Sequence, residues 1–374
     1  MKNFLFLLLL TPVSANALTC AELQDQLNAV PVQGALIKLP VGRIFCPSSL
    51  KLPDSAVALD GAGVQLTQIV FPADSGDGIV GTFTRWYGGM PIVISNLTIA
   101  VDGKTSGAAI RLSWPEVGSI NEPAARIHNV TIRPYWTAQP QHSWGDGIVL
   151  DGAWNSTISD VTIHGNNDCA APTPNKKPWL MTRAIHLKGR SNDTSIRGVR
   201  ITCSEFGIDI GGRTEGPRIT DTHTIGNRVG IRIHTQVDGP LLYPWGVIAD
   251  SFVNAAEIGI MLENHVQVSV TATAIYHDPT YKKPFVGLYV SHAHDFRATG
   301  NHFYVSREHG WSYGVLVSGS NGGTITGNTI TGAHIGLWLV GTSSGHAVMG
   351  NTFRDVSYPL ADHGKNNVIE GNVK

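Results

Sequence analysis

Residues with complementary chemistry recur at a constant spacing in the middle of the chain. His186, Asp209 and Arg232 follow one another at intervals of 23 residues, and Lys188 and His234 each lie two residues after one of them. A carboxylate can hold an imidazole in the tautomer that accepts a proton. Cationic side chains can then stabilise the enolate that forms when a proton is removed next to a carboxyl group. This chemistry requires a fold that brings the chain back to the same place about every 23 residues.

A repeat that runs along most of the chain predicts such a fold. One element, apolar-x-Asn/Asp-x-x-apolar, recurs with its starts 21 to 38 residues apart, and a second, small-apolar-x-apolar, lies between its copies. Both alternate apolar and variable residues, which is the period of a β-strand. Copies of the first element lie at 94–99, 127–132, 158–163, 196–201, 219–225, 248–253, 270–275, 298–303, 325–330, 348–353 and 369–373. Copies of the second lie at 109–112, 147–150, 184–187, 207–210, 230–233, 259–262, 287–290, 314–317 and 336–339.

Two or three short strands in each period, with Gly and Asn at the turns, predict an all-β fold built as a single parallel β-helix solenoid. The apolar positions of each coil would fill a shared axial core. A β-sandwich or a propeller is the alternative, but a propeller blade needs roughly 40 residues or more, about twice the shortest period found here.

Stacked coils place equivalent residues about 4.8 Å apart, so the variable positions of the second element form outward columns. The first column is Arg111, Val149, His186, Asp209, Arg232, Met261, Tyr289, Leu316 and Trp338. The second is Ser113, Asp151, Lys188, Gly211, His234, Glu263, Ser291, Ser318 and Val340. The central coils thus bring together what we call the charged patch: Asp151, His186, Lys188, Asp209, Arg232, His234 and Glu263. The corresponding column of the first element is mostly threonine, which suits a solvated strand face.

Long insertions flank the second element and predict a groove along its face. Segments 133–146, 164–183, 276–286 and 304–313 lead into the element, and 113–126 and 234–247 follow it. Loops of this length in a compact repeat are usually functional. They carry the aromatic residues Trp114, Tyr135, Trp136, Trp144, Trp179, Tyr243, Trp245, Tyr276, Tyr281 and Trp311. As a set these rings suit sugar contacts; we expect Trp179, Trp245, Tyr289 and Trp338 to bind substrate together with Asp151 and Glu263.

The N-terminal region reads as a leader followed by a cap. Lys2, the apolar run 4–10 and a small-residue site ending at Ala17 predict a cleavable signal peptide over 1–17, and therefore a secreted or periplasmic protein. Thr19 and Glu22 resemble a capping box that opens a helix over 21–30. We expect 18–90 to form the cap and first coils, and 91–374 the regular coils of one domain.

Composition and cysteine count narrow the classes further. The net charge is −1 and 42% of residues are hydrophobic, which argues against nucleic-acid binding and against disorder. After the leader, no apolar run is long enough for an integral membrane segment. Four cysteines in an exported chain suit two disulfides, of which three pairings are open; we favour Cys20–Cys46 and Cys169–Cys203. With no CxxC pair, we expect no zinc site.

The repeats resemble those of the right-handed parallel β-helix proteins of the pectin-lyase-like superfamily. The lead-in helix with segments 39–42 and 59–63 is similar to the start of the pectate-lyase-3 group, which includes phage tailspikes. The resemblance covers most of 18–374 and is specific for the fold. Members of the superfamily include polysaccharide lyases, glycoside hydrolases, uronate epimerases and non-enzymatic adhesins.

We therefore expect a polysaccharide lyase that acts by β-elimination on a uronate-containing polymer. Arg232 or Lys188 would neutralise the substrate carboxylate, and His186 or His234 would serve as base, with its tautomer set by Asp209.

Three other interpretations remain open. A glycoside hydrolase would pair Asp209 with Glu205, Asp151 or Glu263. Segments 207–210 and 230–235 look like fragments of the polygalacturonase family, but the paired-Asp and Gly-His-Gly segments of that family are absent, and His234 replaces its clamp Lys. A glycan-binding or surface-attachment β-helix would carry out no catalysis. In the third interpretation, the charged patch is a row of solvent-exposed ion pairs that has no function.

The sequence gives weaker indications of cofactors. Asp146, Asp151 and Asp209 could hold Ca²⁺ through oxygen ligands, as in many related lyases. No other metal or cofactor is indicated, and the oligomeric state is left open.

Overall fold

The computed structural model describes residues 18–85, 90–114, 122–135, 141–166, 179–235, 245–264, 267–278, 280–307 and 310–374. A short helix, α1 (Cys20–Asn28), opens this part of the chain. The Thr19 side chain accepts a hydrogen bond from the Glu22 backbone N–H, and the Glu22 carboxylate accepts one from the Thr19 N–H at 2.8 Å. The predicted capping box is therefore confirmed. Leu23 and Leu27 are fully buried, so the helix covers the end of the axial core.

The remaining elements are strands. The first coils contain β1 (Ala35–Lys38), β2 (Gly42–Phe45), β3 (Leu50–Lys51), β4 (Val57–Asp60), β5 (Thr67–Pro72), β6 (Ile79–Thr82), β7 (Ile92–Asp102), β8 (Ala108–Ser113), β9 (Ala125–Pro134), β10 (Asp146–Asp151), β11 (Thr157–His164) and β12 (Met181–Lys188). The central coils contain β13 (Ser195–Arg197), β14 (Arg200–Thr202), β15 (Ser204–Gly212), β16 (Arg218–Thr220), β17 (His223–Thr235), β18 (Gly246–Ala249), β19 (Phe252–Glu263), β20 (Val268–Thr271), β21 (Ala274–His277) and β22 (Val286–Ser291). The last coils contain β23 (Arg297–Thr299), β24 (His302–Tyr304), β25 (Tyr313–Ser318), β26 (Thr324–Thr326), β27 (Thr329–Thr331), β28 (Ile335–Val340), β29 (Ala347–Met349), β30 (Thr352–Arg354), β31 (Tyr358–Asp362) and β32 (Val368–Glu370).

All of these strands pair in parallel with the equivalent strands of the coils before and after, forming three faces. Face A carries the second sequence element and includes 146–151, 183–188, 206–212, 229–235, 258–263, 286–291, 313–318 and 335–340. Face B includes 195–197, 218–220, 246–249, 268–271, 297–299 and 324–326. Face C includes 200–202, 223–225, 252–255, 274–277, 302–304 and 329–331. The chain is thus the right-handed parallel β-helix solenoid that the resemblance implied.

The first sequence element is the corner between faces B and C. Its Asn, Asp or Gly position has positive φ in coil after coil, for example 57° at Asn96, 55° at Asp160 and 49° at Asp221. Asn and Asp tolerate this left-handed conformation better than other residues with a Cβ. The apolar positions on either side point inward, and columns such as Ile158, Ile196, Ile219 and Ile248 are fully buried. The repeat therefore encodes both the bend and the core.

The described cysteines are all oxidised. Cys20 and Cys46 form the predicted disulfide, which ties α1 to β2. Cys203 also takes part in a disulfide, whereas Cys169 lies outside the described residues, as does the predicted signal peptide 1–17. No helix in the described segments is long and apolar enough to span a membrane.

Candidate active site on face A

The predicted register of the outward columns is confirmed. His186 pairs with Asp209, and Asp209 with Arg232, on β12, β15 and β17. In the second column Gly211 pairs with His234, and His234 with Glu263. All seven residues of the charged patch therefore lie on the outside of face A, over five adjacent coils. None of them points into the axial core.

Asp209 is the buried centre of the patch. Only 3% of the residue is exposed, because neighbouring side chains cover it. Its Oδ1 lies 3.0 Å from His234 Nε2 and 4.0 Å from Arg232 Nη1. Burial opposes ionisation of this carboxyl, but the contact with His234 and the charges of His186 and Arg232 outweigh it, so the pKa of Asp209 lies below its ordinary value. Asp209 is consequently an anion that fixes the His234 ring.

Gly211 makes this contact sterically accessible. A Cβ at position 211 would lie 2.7 Å from His234 Cε1 and 2.9 Å from Nε2, closer than side-chain atoms tolerate. The imidazole therefore lies directly over the glycine backbone and reaches Asp209 across it. Any larger residue at 211 would push the ring away.

His186 is the second imidazole of the patch, and it is half-buried. Burial, reinforced by the nearby Arg183 cation, lowers the pKa of His186 to about 4. The ring is therefore neutral near pH 7 and can accept a proton. The two histidines thus differ in their relation to Asp209. His234 contacts the Asp209 carboxylate, whereas His186 occupies the position next to Asp209 on the adjacent strand.

Arg232 is held from two sides while keeping free donors. Its Nε lies 3.0 Å from Glu263 Oε2, and its guanidinium carbon lies 5.2 Å from the centre of the Phe206 ring. A guanidinium has five N–H donors, so these contacts leave some available for a bound carboxylate. The Lys188 ammonium group is less available to a ligand, because its Nζ forms an ion pair with Asp151 Oδ2 at 2.9 Å.

The three aspartates considered for Ca²⁺ each face a cation. Asp146 pairs with Arg183 at 3.1 Å, Asp151 pairs with Lys188, and Asp209 lies 4.0 Å from Arg232. Among the described residues, no group of three or more His, Cys, Asp or Glu could hold a metal ion. Within that part of the chain, the aspartates serve ion pairs rather than a cation site.

Face A becomes aromatic towards its C-terminal coils. Tyr289 and Trp338 lie in the same column as Arg232, two and four coils further on. Trp338 stacks on Tyr313, with 5.5 Å between ring centres, and its Nε1 donates to His363 Nδ1 at 3.4 Å. The expected substrate contacts Tyr289 and Trp338 are thus on the face of the charged patch.

Three of the loop aromatic residues that we expected to contact sugars as a set are packed against other rings of the protein. Trp144 is fully buried against Phe71, and Trp114 stacks on Phe83. Trp179 stacks on the buried Tyr281 at 5.4 Å and donates its Nε1–H to the Gly226 carbonyl at 2.8 Å. These rings pack against other parts of the protein, because large apolar side chains gain more from burial than from solvent contact. Trp136 and Tyr243 lie outside the described residues.

Trp245 also lies away from the charged patch. It precedes β18 on face B and lines a cleft with Val247, Ser269 and Arg297. Sequence reasoning placed it beside face A, since its loop follows the second element. The chain has already turned the corner to face B when it reaches residue 245.

Two residues of the site were missed. Phe206, near the start of β15, lies beneath Arg228 and Arg232, with 5.0 and 5.2 Å between its ring centre and their guanidinium carbons. Tyr313 was open to prediction, because it directly precedes the Gly of the second element at 314–317 and so begins a strand of face A.

A comparison of the sequence with models of protein families identifies the family of this chain. Residues 180–372, more than half of the chain, match the family model of NosD, described as a periplasmic copper-binding protein. The chain belongs to the NosD family. No curated protein matches the sequence. The described residues of this NosD-family chain do not fit a copper site, since no metal-binding group is found among them and their cysteines are in disulfides.

Solved structures share the fold at low identity. The A-modules of the mannuronan C-5 epimerases AlgE4 and AlgE6 from Azotobacter vinelandii both superpose with a TM-score of 0.67. AlgE4 is 16% identical over 94% of this chain and 95% of its own, and AlgE6 is 18% identical over 94% of each. The catalytic domain of a GH87 α-1,3-glucanase has a TM-score of 0.55 at 10% identity, over 90% of this chain and 64% of its own. These likenesses establish the pectin-lyase-like β-helix fold.

Proposed function

We propose that this NosD-family protein is a polysaccharide lyase that removes the proton at C5 of a uronate unit, next to the carboxyl group. The observation that carries the proposal is a neutral imidazole, His186, paired in register with the ionised Asp209 and two coils away from Arg232. A base, a fixed anion and a cation with free donors on one strand face are what such a step requires.

The proposed roles follow from the contacts. The Arg232 guanidinium binds the uronate carboxylate and stabilises the enolate, while His186 accepts the C5 proton. The electron pair then forms the C4–C5 double bond as the C4–O bond breaks. His234, whose Nε2 lies 3.0 Å from Asp209 Oδ1, gives a proton to the departing oxygen. Proton exchange with water restores both rings. An acidic substrate also raises the pKa of His186 when it binds, which improves the base.

A hydrolase is less well supported. Hydrolysis through two carboxyl groups needs one of them protonated, and the pKa of Asp209 is lowered instead. Its candidate partners are engaged as well: Glu205 with Arg228 at 3.0 Å, Asp151 with Lys188, and Glu263 with Arg232.

The test is incubation with polygalacturonate, alginate and a neutral glucan, followed by both ultraviolet absorbance and reducing ends. A lyase yields unsaturated ends that absorb, and His186→Ala should lower the rate about a hundredfold or more. The matched control is His302→Ala, which removes an exposed imidazole from face C. Reducing ends without absorbance would support hydrolysis. Deuterium uptake at C5 in heavy water, without absorbance, would mean that the proton returns and that the product is an epimer.

We further propose that the mature protein begins after Ala17 as one β-helix domain, with 18–90 as cap and first coils, and works outside the cytoplasm. The disulfide at Cys20–Cys46 and the family's periplasmic description support this location. N-terminal sequencing of protein recovered from the periplasm or medium tests it, and a retained Met1 would contradict it.

A further inference from the structure

A cleft on face B takes no part in the mechanism proposed above. It has a volume of about 400 Å³ and is separated from face A by the turn that contains Asn264 and Gln267. The residues that line it include Trp245, Gln267, Ser269, Asp295, Arg297 and Thr324.

The floor of the cleft is built by the register of four consecutive coils. Val247, Ser269, Arg297 and Thr324 are direct neighbours on β18, β20, β23 and β26. Trp245 stands at one end with 76% of its surface exposed. An indole this exposed does little for the core and presents an apolar surface beside polar groups, which is the combination that binds sugars.

The charged groups of the cleft are arranged for a ligand. Arg297 is exposed, and no carboxylate of the described residues lies within 4.0 Å of it. The backbone of Asp295 is held by the next coil, because its N–H donates to the Asn321 carbonyl at 3.0 Å, and its carboxylate lies close over Gly322, where a Cβ would come within 2.5 Å of Oδ1. The cleft therefore offers a guanidinium that has no carboxylate partner in the described part of the chain, and a carboxylate acceptor two residues away in sequence.

We infer that this cleft is a second binding site for a uronate unit of an acidic polysaccharide. Trp245 packs on the apolar face of the sugar ring, Arg297 binds the carboxylate, and Asp295, Gln267 and Thr324 bind hydroxyl groups. The inference rests on the proposed function, because the ligand would be another stretch of the polymer processed on face A. A chain held at two sites binds more tightly than at either alone.

The experiment measures binding and turnover separately. Calorimetric titration of the inactive His186→Ala protein with short oligogalacturonates and oligoalginates should give two binding events per chain. Trp245→Ala or Arg297→Gln in that background should remove one of them. In the active protein either change should raise KM for the long polymer about tenfold or more and leave KM for short oligomers and kcat unchanged. Tyr304→Ala, which removes an exposed ring from face C, is the control.

The outcomes separate the two proposals. If neither substitution alters oligouronate binding, or if a single event is present throughout, the cleft assignment is wrong whatever the turnover. If binding depends on Trp245 and Arg297 but no polymer is cleaved or epimerised, the cleft assignment stands and the lyase proposal is wrong. Unchanged melting temperatures for both variants would show that the fold is intact.

Discussion

At the scale of single residues, the burial of Asp209 distinguishes the charged patch from an ordinary row of surface ion pairs. Exposed pairs contribute little to stability, whereas a buried anion requires partners that stay in place. Asp209 Oδ1 and His234 Nε2 are both buried and lie 3.0 Å apart, in contact but without the geometry of a hydrogen bond. The cost of keeping this pair is difficult to explain by stability alone, and this favours a chemical role.

Gly211 provides a test of that pair without removing either member. In Gly211→Ala the new methyl group displaces the His234 ring, so kcat should fall about tenfold while the free energy of unfolding changes by less than about 1 kcal/mol, since only a side chain has to move. The measurement is steady-state kinetics combined with chemical unfolding. In a His234→Ala background the same change should have no further effect on kcat. Equal losses in both backgrounds would show that Gly211 acts through something other than His234.

His186 makes a prediction about pH. Its pKa is about 4 in the folded protein against an ordinary 6.5, so below pH 6.5 the unfolded chain takes up a proton that the folded chain does not. Stability is therefore fully present above about pH 6.5 and falls as pH decreases to about 4. The loss should be on the order of 2 kcal/mol, allowing for the partial exposure of the ring. Unfolding curves of wild type and His186→Gln across this range test it, and parallel curves would contradict it.

At the scale of elements, a ladder of asparagines holds the corner turns of the last coils. Its members are Asn301, Asn328 and Asn351, which are buried, and Asn372, which is half-buried. Each Oδ1 accepts the backbone N–H of the previous member, for example Asn301 N–H to Asn328 Oδ1 at 2.9 Å. Each Nδ2 donates to a carbonyl of the preceding coil, as from Asn328 to Ala298. The Asn of the repeat's Gly-Asn pair thus satisfies backbone groups inside the turn.

Replacing one rung should be costly. Asn328→Ala leaves the Asn301 N–H and the Ala298 carbonyl without their partners, so the free energy of unfolding should fall by about 2–4 kcal/mol. Urea unfolding of the variant measures this. Asn321→Ala, at an exposed position of the same coil, should cost less than about 1 kcal/mol. A similar loss at both positions would mean that the ladder does not stabilise the coils.

The same elements show how far sequence reasoning reaches. The pairing of His186 with Asp209 and of Asp209 with Arg232 was predictable, because strand alternation and coil stacking determine it. The choice of His234 rather than His186 as the contact of Asp209 was not, since it depends on side-chain conformation over Gly211. The burial of Trp144 and the position of Trp245 on face B were not predictable, because loops lack a period and the direction of their side chains relative to the faces cannot be counted along the chain.

At the scale of the whole molecule, charge makes a prediction about substrate capture. The net charge is −1, so the protein as a whole does not attract a polyanion, and local cations such as Arg232 and Arg297 have to do so. Raising the salt concentration from about 0.05 M to about 0.5 M should therefore increase KM for an acidic polymer several-fold and leave kcat nearly unchanged. Initial rates at several salt concentrations test this. A salt-independent KM would indicate recognition without ion pairing.

The single-file pairing of strands has a consequence for how such a protein can change over time. Each strand of face A hydrogen-bonds only with the strands of the two adjacent coils. Gene duplication of one coil beyond residue 340 would lengthen the surface by about 4.8 Å and leave the neighbours of Asp209 unaltered. Duplication between residues 188 and 204 would instead separate His186 from Asp209. The length of the surface that we propose to bind polymer can therefore evolve in increments of one coil, independently of the proposed reaction.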